Sequence, residues 1–265
     1  MTGFVRAEFR RLLATRMWWG LPLAAVLLGG GLIGLLALVG PENFEPPMPG
    51  LDTEAGVRAV LGFLGFTAFV PAAVGTLAVT SEYRHRTVNF TFLFGPDRWR
   101  VLVAKLLAHA VAGLAYGLVL AGAAGAALFG VAAARGAELG LPAGTIVALL
   151  ARLGVAMAVY VVLGVGMGAL IRNQVAALCV VIGYLYGGEL ALIMIPGVRE
   201  LYPWLPGGAT SALTDFTAVA DALAAQLAGD PVRLLSPAAG ALVLLAYAAL
   251  ASTAAVLRPL RRDVA

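Results

Sequence analysis

The sequence predicts an all-α membrane protein with six transmembrane helices, and three observations carry that prediction. The chain is 61% hydrophobic and 12% charged, with a mean hydropathy of +0.94. Several apolar runs are longer than the roughly 18 residues that mark a span, and 265 residues leave room for about six spans of ~20 residues with short connections. The alternating segments of about ten residues that build a membrane barrel are absent from the sequence.

Residues 1–16 interleave Arg6, Arg10, Arg11 and Arg16 with Phe4, Val5, Phe9, Leu12 and Leu13 at near-helical spacing. This predicts a short amphipathic helix on the inner membrane face, its arginine heads toward lipid phosphates. The apolar run that follows is too long for a signal-peptide core and lacks a small-residue cleavage site, so it reads as an uncleaved first span. Spans are expected near 18–39, 57–79, 101–131, 144–171, 174–196 and 237–257. Pro71 should kink the second span. Gly-xxx-Gly pairs at Gly30 and Gly34, Gly113 and Gly117, and Gly164 and Gly168 predict close helix approach, within one chain or between chains. The 197–236 segment is too broken by Pro and Gly to form a seventh span. It reads as short helices capping the outer face, with Tyr202 and Trp204 at headgroup depth, or as a surface loop.

Charge sets the expected orientation. The N-terminal tail, the 80–105 connection, Arg172 and the C-terminal RPLRRDVA hold 13 of the 18 Lys and Arg residues. The connection GPENFEPPMPGLDTE (40–54) is acidic with no basic residue. The positive-inside rule then puts both termini in the cytoplasm of a multi-pass plasma-membrane protein, as six spans require. The same asymmetry accounts for the basic balance without a nucleic-acid partner.

Motifs for chemistry are missing. A Walker loop needs Gly-Lys-Ser/Thr, and the one lysine, Lys105, stands between Ala104 and Leu106. GVGMGA (164–169) lies inside a predicted span, where close packing is the expected role of its glycines. His85 and His109 are too isolated for a metal site, and Cys179 has no Cys or His at ligand spacing. The chain is therefore expected to be neither an enzyme by itself nor the holder of a cofactor.

Two charges fall inside expected spans, where charge is costly. By 1.5 Å rise per residue, Arg152 and Glu189 reach similar depths near the outer side. An Arg152–Glu189 ion pair joining consecutive spans is one reading, and a cavity-facing Glu189 that attracts a cationic substrate is the other.

The stretch TSEYRHRTVNFTFLFGPDRWRVLVAK (80–105) is the one long connection on the basic side. Its composition fits an interfacial loop or a short helix offering an apolar patch to a protein partner. In pattern it resembles the loop between the second and third spans of ABC exporter permeases of the six-span, type-2 class. The matching residues are Glu82, Thr87, Pro96, Arg98 and Lys105, and the resemblance extends to the layout of the whole chain as a single permease domain, 1–265.

The resemblance implies a permease subunit of an ATP-driven exporter, paired with a second permease chain as a homodimer or heterodimer. Separate ABC ATPase subunits would bind ATP and Mg and receive a cytoplasmic coupling helix within 80–100. It makes Glu82, Arg84, Arg86, Thr87, Phe90 and Phe92 candidate ATPase contacts, with apolar anchors for affinity and a charged rim for register. Arg98, Arg100 and Lys105 are expected to snorkel to lipid phosphates. The family's outer re-entrant helices would correspond to part of 197–236. Its central path makes Phe63, Phe66, Thr67, Phe69, Tyr184 and Tyr186 candidates for contact with a hydrophobic or amphipathic cargo, drug-like or lipid. A membrane scaffold or sensor without transport, or a self-contained membrane enzyme or secondary transporter, are the alternatives.

Overall fold

The computed structural model describes residues 2–45, 47–88, 97–195, 197–216 and 233–257. These residues are helical with short connections, and six helices are long and apolar enough to cross a membrane. We number the elements α1 (Thr2–Ala14), α2 (Met17–Val39), α3 (Glu54–Arg84), α4 (Arg98–Arg135), α5 (Ala143–Ile171), α6 (Gln174–Ile193), α7 (Pro206–Thr214) and α8 (Pro237–Leu257). The six long helices fall where hydropathy places them, within a few residues.

Local sequence explains the starts, stops and irregularities. Thr53 caps α3 by accepting the Gly56 N–H at 3.0 Å, satisfying one of the helix's orphan donors. Within α3, residues Phe63–Ala68 tighten into a 3-10 turn just ahead of Pro71. Pro71 has no N–H to offer Thr67, so the expected irregularity is taken up as a tightened turn. Arg172 ends α5 in the left-handed region (φ 60°), and the Asn173 side chain at once caps α6 by accepting the Ala176 N–H at 2.9 Å. That pair of devices is how RNQ reverses the chain in so few residues.

The helix α5 is the axis of the fold and packs against α3, α4 and α8. Close approach depends on glycine: a Cβ on Gly117 of α4 would lie 2.2 Å from the Gly154 oxygen of α5, and one on Gly164 of α5 would lie 2.1 Å from the Ala72 oxygen of α3. Both small-residue motifs therefore serve packing within the chain. Outward, Leu118, Leu242, Leu250 and Leu35 present apolar surface.

The helix order gathers two ends. One carries α1, the C-terminus of α3, the N-terminus of α4 and the α5–α6 turn. The other carries the 40–53 and 136–142 connections, joined by the Gly140 N–H donating to Leu51 O at 2.8 Å. There Arg58 pairs with Glu54 at 2.8 Å and with Asp215, and Arg135 donates to Ala37 O at 2.7 Å. The first end is the basic one.

Candidate functional site

The basic end is organised around Glu82, Thr87 and Lys105. The α3 helix stops in a Schellman motif: the Thr87 N–H donates to Glu82 O at 2.9 Å, the Arg86 N–H donates to Tyr83 O at 3.2 Å, and Arg86 takes φ 56°. Such a motif satisfies the last carbonyls of a helix. Thr87 thus closes the turn from which Glu82 projects.

Glu82 faces inward. Lys105, only 4% exposed, donates to Glu82 Oε1 at 2.7 Å and to Glu8 Oε2 at 2.7 Å. Arg11 completes the group, donating to Glu8 Oε1 at 3.2 Å and to Glu82 Oε1. Two acids and two bases lie in contact, and each buried charge has an opposite partner. The cluster ties α1 to both α3 and α4. The expectation that Lys105 snorkels to lipid phosphate is corrected: its short reach from the first turns of α4 ends on two carboxylates held by neighbouring helices. Glu82 correspondingly bridges helices within the chain.

The same corner reaches α5 and α6. Arg84 donates to Gln174 Oε1 at 3.3 Å, and the Arg172 guanidinium lies over the Tyr83 ring, 5.5 Å from its centroid, a cation–π contact. Arg86 is exposed. Arg100 pairs with Asp97 at 3.1 Å and lies over the Trp99 ring. The candidate anchors Phe90 and Phe92 lie outside the described residues. Beneath α1, a cleft of about 590 Å³ borders this cluster, with Leu12, Met17, Leu77 and Ala78 among its apolar walls.

At the opposite end the Arg152–Glu189 pairing is overturned. Arg152 is exposed, whereas Glu189 is buried and its carboxylate accepts the Gly207 N–H at 3.0 Å and the Gly208 N–H at 3.1 Å. These are the first free donors of α7, so the helix N-terminus takes the role expected of arginine. Gly208 is needed there, since a Cβ would lie 1.8 Å from Tyr202 O. Tyr160 of α5 fixes α7 from below, with its hydroxyl 2.8 Å from Thr210 Oγ1 and donating to Pro206 O at 3.2 Å. Residues Ala209–Leu213 of α7 are buried against α5 and α8.

Tyr202 does not sit at the surface: it is buried, its hydroxyl is 3.0 Å from Ser211 Oγ, and burial pushes that hydroxyl up to about 12. Trp204 is exposed. Among the path candidates, Phe66, Phe69 and Tyr186 line a pocket of about 100 Å³ with Glu189, Tyr160 and Phe216. Phe63 stacks behind it, 5.9 Å from Phe66 and 6.4 Å from Phe216 between centroids. The Tyr186 hydroxyl donates to Phe66 O, joining α6 to α3. Thr67 is buried with its hydroxyl donating to Leu64 O at 2.7 Å, and Thr67 and Tyr184 are not in the lining.

Sequence reasoning missed Glu8, Arg11, Tyr160 and the Gly207–Gly208 donors. Glu8 carried a signal: it lies three residues after Val5 and four before Leu12, on the apolar face of α1. No family model matches the chain, and no curated protein matches it.

Proposed function

We propose that the chain is the transmembrane permease subunit of an ATP-driven exporter for a hydrophobic or amphipathic substrate, with both termini and the 80–100 connection cytoplasmic. A separate ATPase subunit would supply ATP hydrolysis and a second permease chain would complete the path. One observation carries the reading. The residues that resemble the permease loop motif, Glu82, Thr87 and Lys105, meet at one corner and connect α3 to α1 and α4, while the neighbouring Arg84 reaches α6. A force applied to the connection beyond Thr87 would enter α3 directly through the capped turn. It would pass to α1 and α4 through the Glu8–Arg11–Glu82–Lys105 cluster, and to α6 through Arg84 and Gln174. A loop that only rested on the headgroups would have no need of such bracing.

In this scheme α1 lies along the inner membrane face, its buried Glu8 serving as the attachment point, and α7 is the re-entrant outer helix. Arg86 and the chain that follows it would contact the ATPase, while Glu82 and Thr87 brace the end of α3.

The test is purification of the tagged chain from native membranes in mild detergent. The reading expects a soluble subunit bearing a Walker loop in stoichiometric amount, lost when Phe90→Asp and Phe92→Asp are combined. Recovery of the folded chain alone after gentle crosslinking would favour a self-contained membrane protein.

A further inference from the structure

The pocket at the acidic end is built from an unusual combination. Its lining is aromatic on several sides, from Phe66, Phe69, Tyr186, Phe216 and Tyr160, and among the described residues its carboxylate is Glu189. No Lys, Arg or His contributes to the lining among the described residues. Glu189 is 4% exposed, and among the described residues its carboxylate meets neutral N–H donors. The rings at the mouth are accessible, Phe66 at 45% and Tyr186 at 39%.

Aromatic faces attract cations through their quadrupole, most strongly where water is excluded, and rings grouped around a carboxylate are the chemistry that recognises alkylated ammonium groups. A volume of about 100 Å³ is well below the roughly 300 Å³ at which pockets begin to hold a whole drug-sized molecule. It therefore suits a compact head and leaves any chain outside. The exposed Met194 and Ile195, which follow the lining residue Ile193 just past the end of α6, offer that chain an apolar surface.

We infer that this pocket binds the alkylammonium head of a cationic or zwitterionic amphiphile, with the charge against Glu189 and the substituents against Phe66, Phe69 and Tyr186. The inference deepens the exporter reading by naming a substrate class for one of its subsites, yet the binding it describes needs neither ATP nor a partner subunit. The head could belong to a free amphiphile or to a choline lipid; the recognition chemistry is shared.

The experiment is equilibrium binding of dodecyltrimethylammonium to the purified full chain in phosphatidylglycerol nanodiscs, alongside its uncharged carbon isostere ending in a tert-butyl group. The expected result is about tenfold weaker binding of the isostere, and about tenfold weaker binding of the cation to Glu189→Gln and to Phe69→Leu. Equal binding of cation and isostere by the unaltered chain overturns the inference, whether or not either variant folds. Unchanged cation affinity in a folded Glu189→Gln chain overturns it too. Repeating the measurement in phosphatidylcholine discs separates the sources: displaced probe assigns the site to a lipid head, retained probe to a free amphiphile. Absence of a co-purifying ATPase would end the exporter reading and leave this result standing, while a failed binding test would leave the exporter reading standing.

Discussion

The Lys105 ammonium of α4 lies 2.7 Å from Glu82 Oε1 at the end of α3, and this contact joins two residues 23 positions apart into the centre of the basic end. Because Glu8 and Arg11 share the same cluster, α1 is held by charge pairing as well as by its apolar face.

Removing the cation should expose that dependence. Lys105→Met removes the buried ammonium that Glu8 and Glu82 share, and breaking a buried ion pair from one side costs about 3–5 kcal/mol. The thermal unfolding midpoint in detergent is expected to fall accordingly. Adding Glu8→Gln to Lys105→Met should recover part of the loss, because one uncompensated buried charge is removed with its partner.

The Glu189 carboxylate and α7 form a second coupled unit. Glu189→Ala removes the acceptor for the half-buried Gly207 N–H and the buried Gly208 N–H, and a buried donor that loses its partner costs about 1–3 kcal/mol. The variant is expected to unfold earlier, and limited proteolysis should cleave near 205–216 faster than in the unaltered chain.

Glycine substitutions separate contact from helix propensity. Gly117→Leu drives a side chain into the Gly154 backbone, and overpacking of this kind costs about 1–3 kcal/mol or more. Gly122→Ala, with nothing within 4 Å of its added Cβ, should leave the unfolding midpoint unchanged or raise it. Unfolding scans of the two variants side by side check the assignment of the α4–α5 interface.

Much of the fold was legible because the spans are continuous apolar runs, and the reversal at 172–174 was legible because so few residues intervene. The small-residue pairs announced close packing, but only the structure assigns Gly117 to Gly154 and Gly164 to Ala72 as contacts within the chain. The Arg152–Glu189 pairing failed for a physical reason. Equal depth says nothing about which way a helix faces, and backbone N–H groups at a helix start compete for a carboxylate without leaving any sign in the sequence. Lys105 failed similarly: its distance from the membrane surface suggested phosphate, whereas Glu8, on the apolar face of α1, was already placed to meet it.

The orientation proposed from the charge asymmetry can be read by labelling. In a Cys179→Ser background, Glu45→Cys should react with a membrane-impermeant thiol reagent in intact cells, and Arg10→Cys only after permeabilisation. Both positions are exposed, so the side of the membrane and not burial decides the result.

The most direct measurement of the central claim is in-cell photo-crosslinking from position 86, where Arg86 is exposed within the capped turn. With Arg86→benzoylphenylalanine, the account predicts a crosslinked product containing this chain and a soluble ATPase with a Walker loop, reduced when Phe90→Asp and Phe92→Asp are added. Crosslinks to lipid alone, in a chain that is folded and correctly oriented, would contradict the coupling role of this corner.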